Sequence, residues 1–255
     1  MSDFDRNLAA RGRIGGAAVA IDVGLRAYMI RVYNYMAAGV ALTGVTSWLS
    51  YQASGGDAIQ VAGGRISGLT AYGQAVVGGP GTIVLFIATL GLVFFLSARI
   101  NRMQASTAMG VFLLYAGLLG VMLTTVFIAY TGASITRTFF ISAASFGALS
   151  LYGYTTQRDL SPIGSFLMMG LFGLILAMVV NIFLKSTGLD FAISAIGVLI
   201  FAGLTAWDTQ RIKEMYDVND DGTVASRKAV MGALRLYLDF INLFLFLLRF
   251  MGDRR

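Results

Sequence analysis

The stretch "LRLYLDFINLFLFLLRF", residues 234–250, decides the fold, because it is long and apolar enough to enter a membrane as a helix. Asp239 lies near its middle, where a charged carboxylate costs about 2.5–3.5 kcal/mol on insertion scales. An acid at such a position usually faces a bundle interior or a wet cavity, and the cost predicts a partner for it. The segment therefore predicts a bundle of membrane helices with a functional carboxylate inside it.

The composition places the whole chain in the membrane class. Hydrophobic residues make up 57% of the 255 residues and charged residues 13%, whereas soluble domains have roughly 25% charged residues. The thirty-one glycines fit closely packed membrane helices. The formal charge of +6 comes from basic residues in short loops and tails, as membrane topology requires. No basic patch interleaved with aromatic residues indicates nucleic-acid binding.

The chain has no cysteine and no histidine. This excludes disulfides, thiolate metal sites and cysteine nucleophiles. It also excludes histidine-based acid–base catalysis and most zinc or iron sites. No cofactor is predicted, and we expect a protein that is not an enzyme.

Uncharged intervals predict seven hydrophobic helices, since a membrane helix needs about 20 mostly apolar residues. They cover residues 33–51, 81–98, 106–130, 135–154, 163–184, 191–207 and 229–250. Short connections favour one all-α bundle, with a cytoplasmic tail over residues 1–31, a membrane domain over 32–252 and a C-terminal tail over 253–255. Thirteen of the nineteen basic residues lie on the side of the N-terminus, which the positive-inside rule places in the cytoplasm. The last helix has a basic outer end, so it stays open whether this segment crosses fully or is short, central or re-entrant.

Asp208 is the second acid that follows a long uncharged run. It lies eight residues before Tyr216, or ~12 Å from the cytoplasmic end of its helix, and Asp239 lies ten residues, or ~15 Å, beyond Ala229. The two carboxyls are therefore expected to meet at a similar depth. Carboxyls in contact do not readily both ionise but share a proton, so such a pair is a proton sensor. The structural alternative is that each acid is neutral and hydrogen-bonded separately.

Four further polar residues are candidate partners of these carboxyls. Arg99 closes the second helix on the cytoplasmic side, where an ion pair with Asp208 would join the two helices. Asn242, Tyr237 and Thr209 lie beside the acids or within one turn of them. The alternative for Arg99 is a residue that only marks the membrane boundary, and for the other three it is ordinary core packing.

The strings "LYLDFINLFLFLLRF" (236–250) and "AWDTQRIK" (206–213), with a "YAG"-containing third helix, resemble the bacterial branch of the Bax inhibitor-1 family. The likeness covers residues 33–252 and implies a seven-helix fold in a bacterial inner membrane, with the last helix surrounded by the other six. It implies that the family's di-aspartyl sensor falls on Asp208 and Asp239, and its partner arginine on Arg99. The family is associated with a pH-sensitive calcium leak, cell-death suppression in eukaryotes and modulation of a membrane protease in some bacteria.

Three functional hypotheses follow. The first is a proton-gated calcium leak channel, in which Asp208, Asp239 and Arg99 form a latch and the two carboxylates are candidate ligands for the transported calcium ion. The second is a non-transporting protein that stays in the lipid bilayer and binds a membrane protease or another membrane protein through its N-terminal tail. The third is an intramembrane aspartyl protease, but the Gly-x-Gly-Asp and Pro-Ala-Leu motifs of such enzymes are absent.

Residues 217–228 match the start of a calcium-binding loop, with acidic or amide residues at positions one, three and five and glycine at six. These are Asp217, Asn219, Asp221 and Gly222. Position twelve, which requires a bidentate glutamate, is Lys228. A solvated acidic turn is therefore the favoured interpretation.

Overall fold

Helices account for most of the chain that the structure describes. This computed structural model describes the backbone of residues 3–62 and 65–255 and the side chains of residues 23–61, 66–100 and 102–255. The α-helices within these residues are α1 (Asp3–Ala53), α2 (Ala71–Gly73), α3 (Pro80–Arg99), α4 (Ala105–Met122), α5 (Thr124–Ala129), α6 (Gly132–Thr155), α7 (Ser161–Leu184), α8 (Thr187–Glu214) and α9 (Gly222–Met251). Strands β1 (Gln60–Ala62) and β2 (Arg65–Ser67) form a small antiparallel hairpin between α1 and α2.

Five helical segments among the described residues are long and apolar enough to cross a membrane. They are Pro80–Arg99, Ala105–Ala129, Ser161–Leu184, Thr187–Glu214 and Gly222–Met251. The chain is therefore an all-α polytopic membrane protein. The two other predicted spans fall on α1 and α6, which are long but less apolar.

The predicted N-terminal tail over residues 1–31 falls largely within α1. Its backbone is helical from Asp3 and continues without a break to Ala53. The side chains of residues 1–22 lie outside the described residues. The partner-binding role of the tail therefore stays a prediction.

Capping side chains fix where the last helices begin. Ser186 accepts from the N–H of Leu189 at the start of α8. Asp221 accepts from the N–H groups of Thr223 and Val224 at the start of α9. Each cap satisfies N–H groups that have no partner within the helix.

Helix α9 lies at the centre of the fold. It packs against α1, α4, α6 and α8. In its most apolar window 67% of the residues are buried, compared with 6% for α7, which therefore faces outward. Gly153 lets α6 approach α8 closely, because a Cβ there would lie 2.1 Å from the carbonyl oxygen of Ala206.

The C-terminal tail shows where the last helix ends. Helix α9 is one continuous helix of 30 residues, or ~45 Å, which is long enough to cross a membrane. After it, Asp253 accepts from the N–H of Thr131, and the N–H of Arg255 donates to the carbonyl of Ala129. A guanidinium N–H of Arg255 also donates to the hydroxyl of Tyr51. The C-terminus thus lies at the end of the bundle where α1 ends and α6 begins.

Candidate functional site

The side chains of Asp208 and Asp239 meet between α8 and α9. Their carboxyl groups are adjacent and interact with each other. Asp239 is 5% exposed and the Asp208 side chain 13% exposed. Both predicted site acids are therefore at one place, which we call the aspartate pair.

No N–H or hydroxyl donor in the described part of the chain reaches the buried Oδ2 atom of Asp239. A buried carboxylate oxygen without a donor is unfavourable, and a second carboxylate beside it adds repulsion. A proton held between the two carboxyls relieves both effects, because a protonated carboxyl donates a hydrogen bond. The arrangement can therefore hold and release one proton.

Arg235 is the cation of this site, and the sequence analysis missed it. Its Nη1 lies 3.5 Å from Asp208 Oδ1. Arg235 precedes Asp239 by four residues on α9, so both side chains lie on the helix face that meets α8. This spacing was the signal available in the sequence. Arg211, three residues after Asp208, adds a second positive charge nearby, with its guanidinium 5.1 Å from the centroid of the Trp207 ring.

The structure does not place the predicted partner Arg99 at the aspartate pair. Arg99 is exposed at the end of α3 and forms no ion pair within the described residues. The physical reason is packing: α3 lies against α4, whereas Asp208 lies on α8 and faces α9. Arg235 occupies the position that the sequence assigned to Arg99.

The three predicted supporting residues also have other partners. The Tyr237 hydroxyl lies 2.6 Å from Thr43 Oγ1, because a residue two positions before Asp239 points to the opposite side of α9. Thr209 bonds Ser150 of α6 at 2.8 Å. Asn242 Nδ2 donates to a carbonyl one turn earlier on its own helix. None of these contacts involves a carboxyl of the aspartate pair.

A cavity of about 320 Å³ lies at the end of the bundle where α9 begins, and Arg235 lies on its wall. We call it the entrance cavity; its lining residues are Ile100, Met215, Val224, Arg227, Lys228, Met231 and Arg235. Lys228 also pairs with Asp220 at 2.5 Å. Arg235 thus lies between this cavity and Asp208. Three basic side chains line the cavity, and Lys228 and Arg235 among them are paired with acids.

The acidic turn before α9 is held by its own backbone. Asp217 Oδ1 accepts from the N–H of Asn219 at 2.9 Å, and this bond lowers the pKa of Asp217 below its ordinary value. The N–H of Val224 lowers the pKa of Asp221 in the same way. Asp217 and Asp221, which matched calcium-loop positions one and five, therefore stabilise a turn and cap a helix. Within the described residues, no three acidic side chains are grouped as metal ligands.

Comparison with known proteins assigns the chain to a family. A family model described as inhibitor of apoptosis-promoting Bax1 matches residues 25–255. Inner membrane protein YbhL of Escherichia coli strain K12 is 44% identical over 91% of this chain and 94% of its own. An uncharacterized protein of Rickettsia prowazekii is 48% identical over 92% of both chains. A protein of Caulobacter vibrioides is 42% identical over the full length of both.

Proposed function

The chain belongs to the Bax inhibitor-1 family, and from this premise we propose that it is a pH-sensitive calcium leak channel gated by the aspartate pair. The observation that carries the proposal is the contact between two largely buried carboxyls on different helices. A proton gained or lost there changes the charge of a helix–helix contact. The protein thus has a titratable group at a contact between two helices, where a change in charge would alter how the helices pack.

The proposed topology has seven crossing helices, with α1 and α6 added to the five apolar segments and α9 at the centre. The N-terminus lies in the cytoplasm, because the basic residues favour that side. The aspartate pair and the entrance cavity then lie towards the cytoplasm, and the C-terminus lies outside. A bacterial inner membrane is the proposed location, since the relative YbhL is named an inner membrane protein.

The energy available to such a gate is large compared with ordinary allosteric coupling. Two carboxylates about 4 Å apart repel by about 4 kcal/mol at an effective dielectric constant of 20. Coupling between sites in proteins is typically about 1–3 kcal/mol. A change in the protonation of the aspartate pair therefore has an energy of the size that shifts the packing of helices such as α8 and α9.

The structure corresponds to a non-conducting state in this proposal. A calcium ion that enters from the α9 end passes Arg227, Lys228 and Arg235 on the cavity wall before it reaches the aspartate pair. Positive charges on a pore wall exclude cations. Conduction therefore requires Arg235 to leave Asp208, after which the two carboxylates become oxygen ligands for a hard cation.

The test is calcium flux into liposomes that contain the purified protein, measured between pH 5 and pH 8. We expect the wild-type flux to depend on pH and this dependence to disappear in Asp208→Asn, Asp239→Asn and the double variant. Asp57→Asn is the matched control, because Asp57 is an exposed acid at the opposite end of the bundle. An unchanged pH response in the double variant would refute the gate.

Absence of wild-type calcium flux at every pH would reject the channel hypothesis. The hypothesis of a non-transporting protein that binds a membrane partner would then remain. That hypothesis has its own assay, because deleting residues 2–26 should abolish co-purification with a membrane partner while an intact pore still conducts.

A further inference from the structure

A second cavity opens on the side of the bundle, away from the aspartate pair. It has a volume of about 350 Å³ and lies between α1, α5, α6 and α9. Its walls are formed mostly by apolar side chains, including Phe139, Phe140, Phe240 and Phe244. We call it the lateral cavity.

The mouth of the lateral cavity faces the surroundings of the bundle. Phe140 is 66% exposed, and Gly44 of α1 is exposed as well, whereas Phe240 on the inner wall is buried. Because the bundle lies in a membrane, the medium at this mouth is lipid. The cavity therefore has direct access to acyl chains.

One polar group in the lateral cavity lacks a partner. Ser47 is 2% exposed, and its Oγ atom is buried with no hydrogen bond in the described part of the chain. Thr43, one turn away on the same wall, differs, because its hydroxyl is bonded to Tyr237 and to the carbonyl of Ala116. A buried hydroxyl without a partner is costly. Because Ser47 lines the cavity, rotation about its Cα–Cβ bond would bring the hydroxyl to a ligand that carries a hydrogen-bond acceptor.

The position of Ser47 along α1 matches the polar boundary of a bilayer. It lies six residues before the end of the helix at Ala53, or ~9 Å along the axis. Its neighbour Trp48 is 49% exposed, and exposed tryptophan is enriched where lipid headgroups meet the hydrocarbon core. Ester carbonyls of phospholipids lie at this boundary.

We propose that the lateral cavity binds one acyl chain of a membrane phospholipid, whose ester carbonyl accepts a hydrogen bond from Ser47 Oγ. The chain lies along the cavity wall formed by the Phe139 and Phe240 rings, which pack edge to face with their centroids 5.8 Å apart. A volume of about 350 Å³ is in the range of small-ligand sites, which are mostly apolar with a few placed polar groups. This site is independent of the proposed channel function, although both involve α9.

The experiment uses the full chain reconstituted in vesicles that contain a trace of phosphatidylcholine with a photoreactive diazirine in one acyl chain. Crosslinked peptides are identified by mass spectrometry. We expect labelling concentrated on the cavity wall, at Phe139 and Phe240, above the level on the outward face of α7. Equal labelling around the bundle would overturn the proposal, since it would indicate only surrounding lipid.

Two variants test the binding geometry. In Gly44→Leu the added side chain occupies the mouth, where a Cβ meets no atom within 4 Å. We expect it to reduce wall labelling to the background level. Gly173→Leu on α7 is the control, because Gly173 is also exposed with open space around its Cβ. Undiminished labelling in Gly44→Leu would contradict the site.

Ser47→Ala tests the hydrogen bond without changing the volume much. We expect wild-type protein to be labelled about fivefold more by an ester-linked probe than by its ether-linked analogue, since one net hydrogen bond is worth about that factor. In Ser47→Ala the two probes should label equally. The absence of ester preference in the wild type would refute the role of Ser47. Displacement of the probe by free fatty acid, but not by phospholipid, would overturn the assignment to a phospholipid.

Discussion

The ion pair between Arg235 and Asp208 gives the most direct test of how the site is built. We predict a favourable coupling between these residues in a double-mutant cycle of Arg235→Gln and Asp208→Asn. The cycle isolates the pairwise contribution, because each single change removes the same ion pair.

The magnitude follows from the geometry. At 3.5 Å between Nη1 and Oδ1, Coulomb's law gives about 5 kcal/mol for an effective dielectric constant of 20. The Arg235 side chain is 39% exposed, so solvent screening lowers the net coupling to about 1 kcal/mol. A change of about 1 kcal/mol corresponds to roughly a fivefold change in an equilibrium constant.

The free energy of unfolding is measured by titration of mixed micelles with SDS at pH 7.5, for the wild type, both single variants and the double variant. Calcium flux in liposomes is measured for the same four proteins, and Arg235→Gln is expected to raise it about fivefold if the ion pair holds the gate closed. Arg99→Gln is the matched control, because Arg99 ends α3 without an ion pair in the described residues. Coupling of Asp208 to Arg99 instead of Arg235 would refute the reasoning.

Three other predictions concern stability, measured by the same titration. Gly153→Ala should destabilise the protein by about 1–3 kcal/mol, because its Cβ would lie 2.1 Å from a backbone oxygen of α8, while Gly147→Ala on the same helix, with open space around its Cβ, should not. Tyr237→Phe should cost about 1 kcal/mol, because it removes a buried 2.6 Å hydrogen bond to α1. Asp221→Ala should destabilise the protein more at pH 7 than at pH 3: backbone N–H groups lower the pKa of Asp221, so its contribution is present above the unfolded pKa and is lost as pH falls through the folded pKa. An equal effect of Asp221→Ala at both pH values would contradict this account of the cap.

The sequence predicted the membrane class and both acids of the aspartate pair, because these follow from local chemistry. Long uncharged runs predict helices of membrane length whatever surrounds them. A carboxylate within such a run is costly enough to require a partner, so Asp239 was recognised without knowledge of its neighbours. Matched distances from the helix ends were sufficient to pair it with Asp208.

Only the tertiary structure decided the partners. Arg99 and Arg235 are both arginines near the same end of the bundle, and the choice between them depends on which helices pack against α8. The same holds for Tyr237, whose hydroxyl bonds Thr43 because of the direction in which α9 faces α1. Hydropathy shows how apolar a segment is, but it does not show which residues lie beside it. Because side chains reach only a few ångströms, the rotation of each helix and the helices next to it determine which residues its side chains contact.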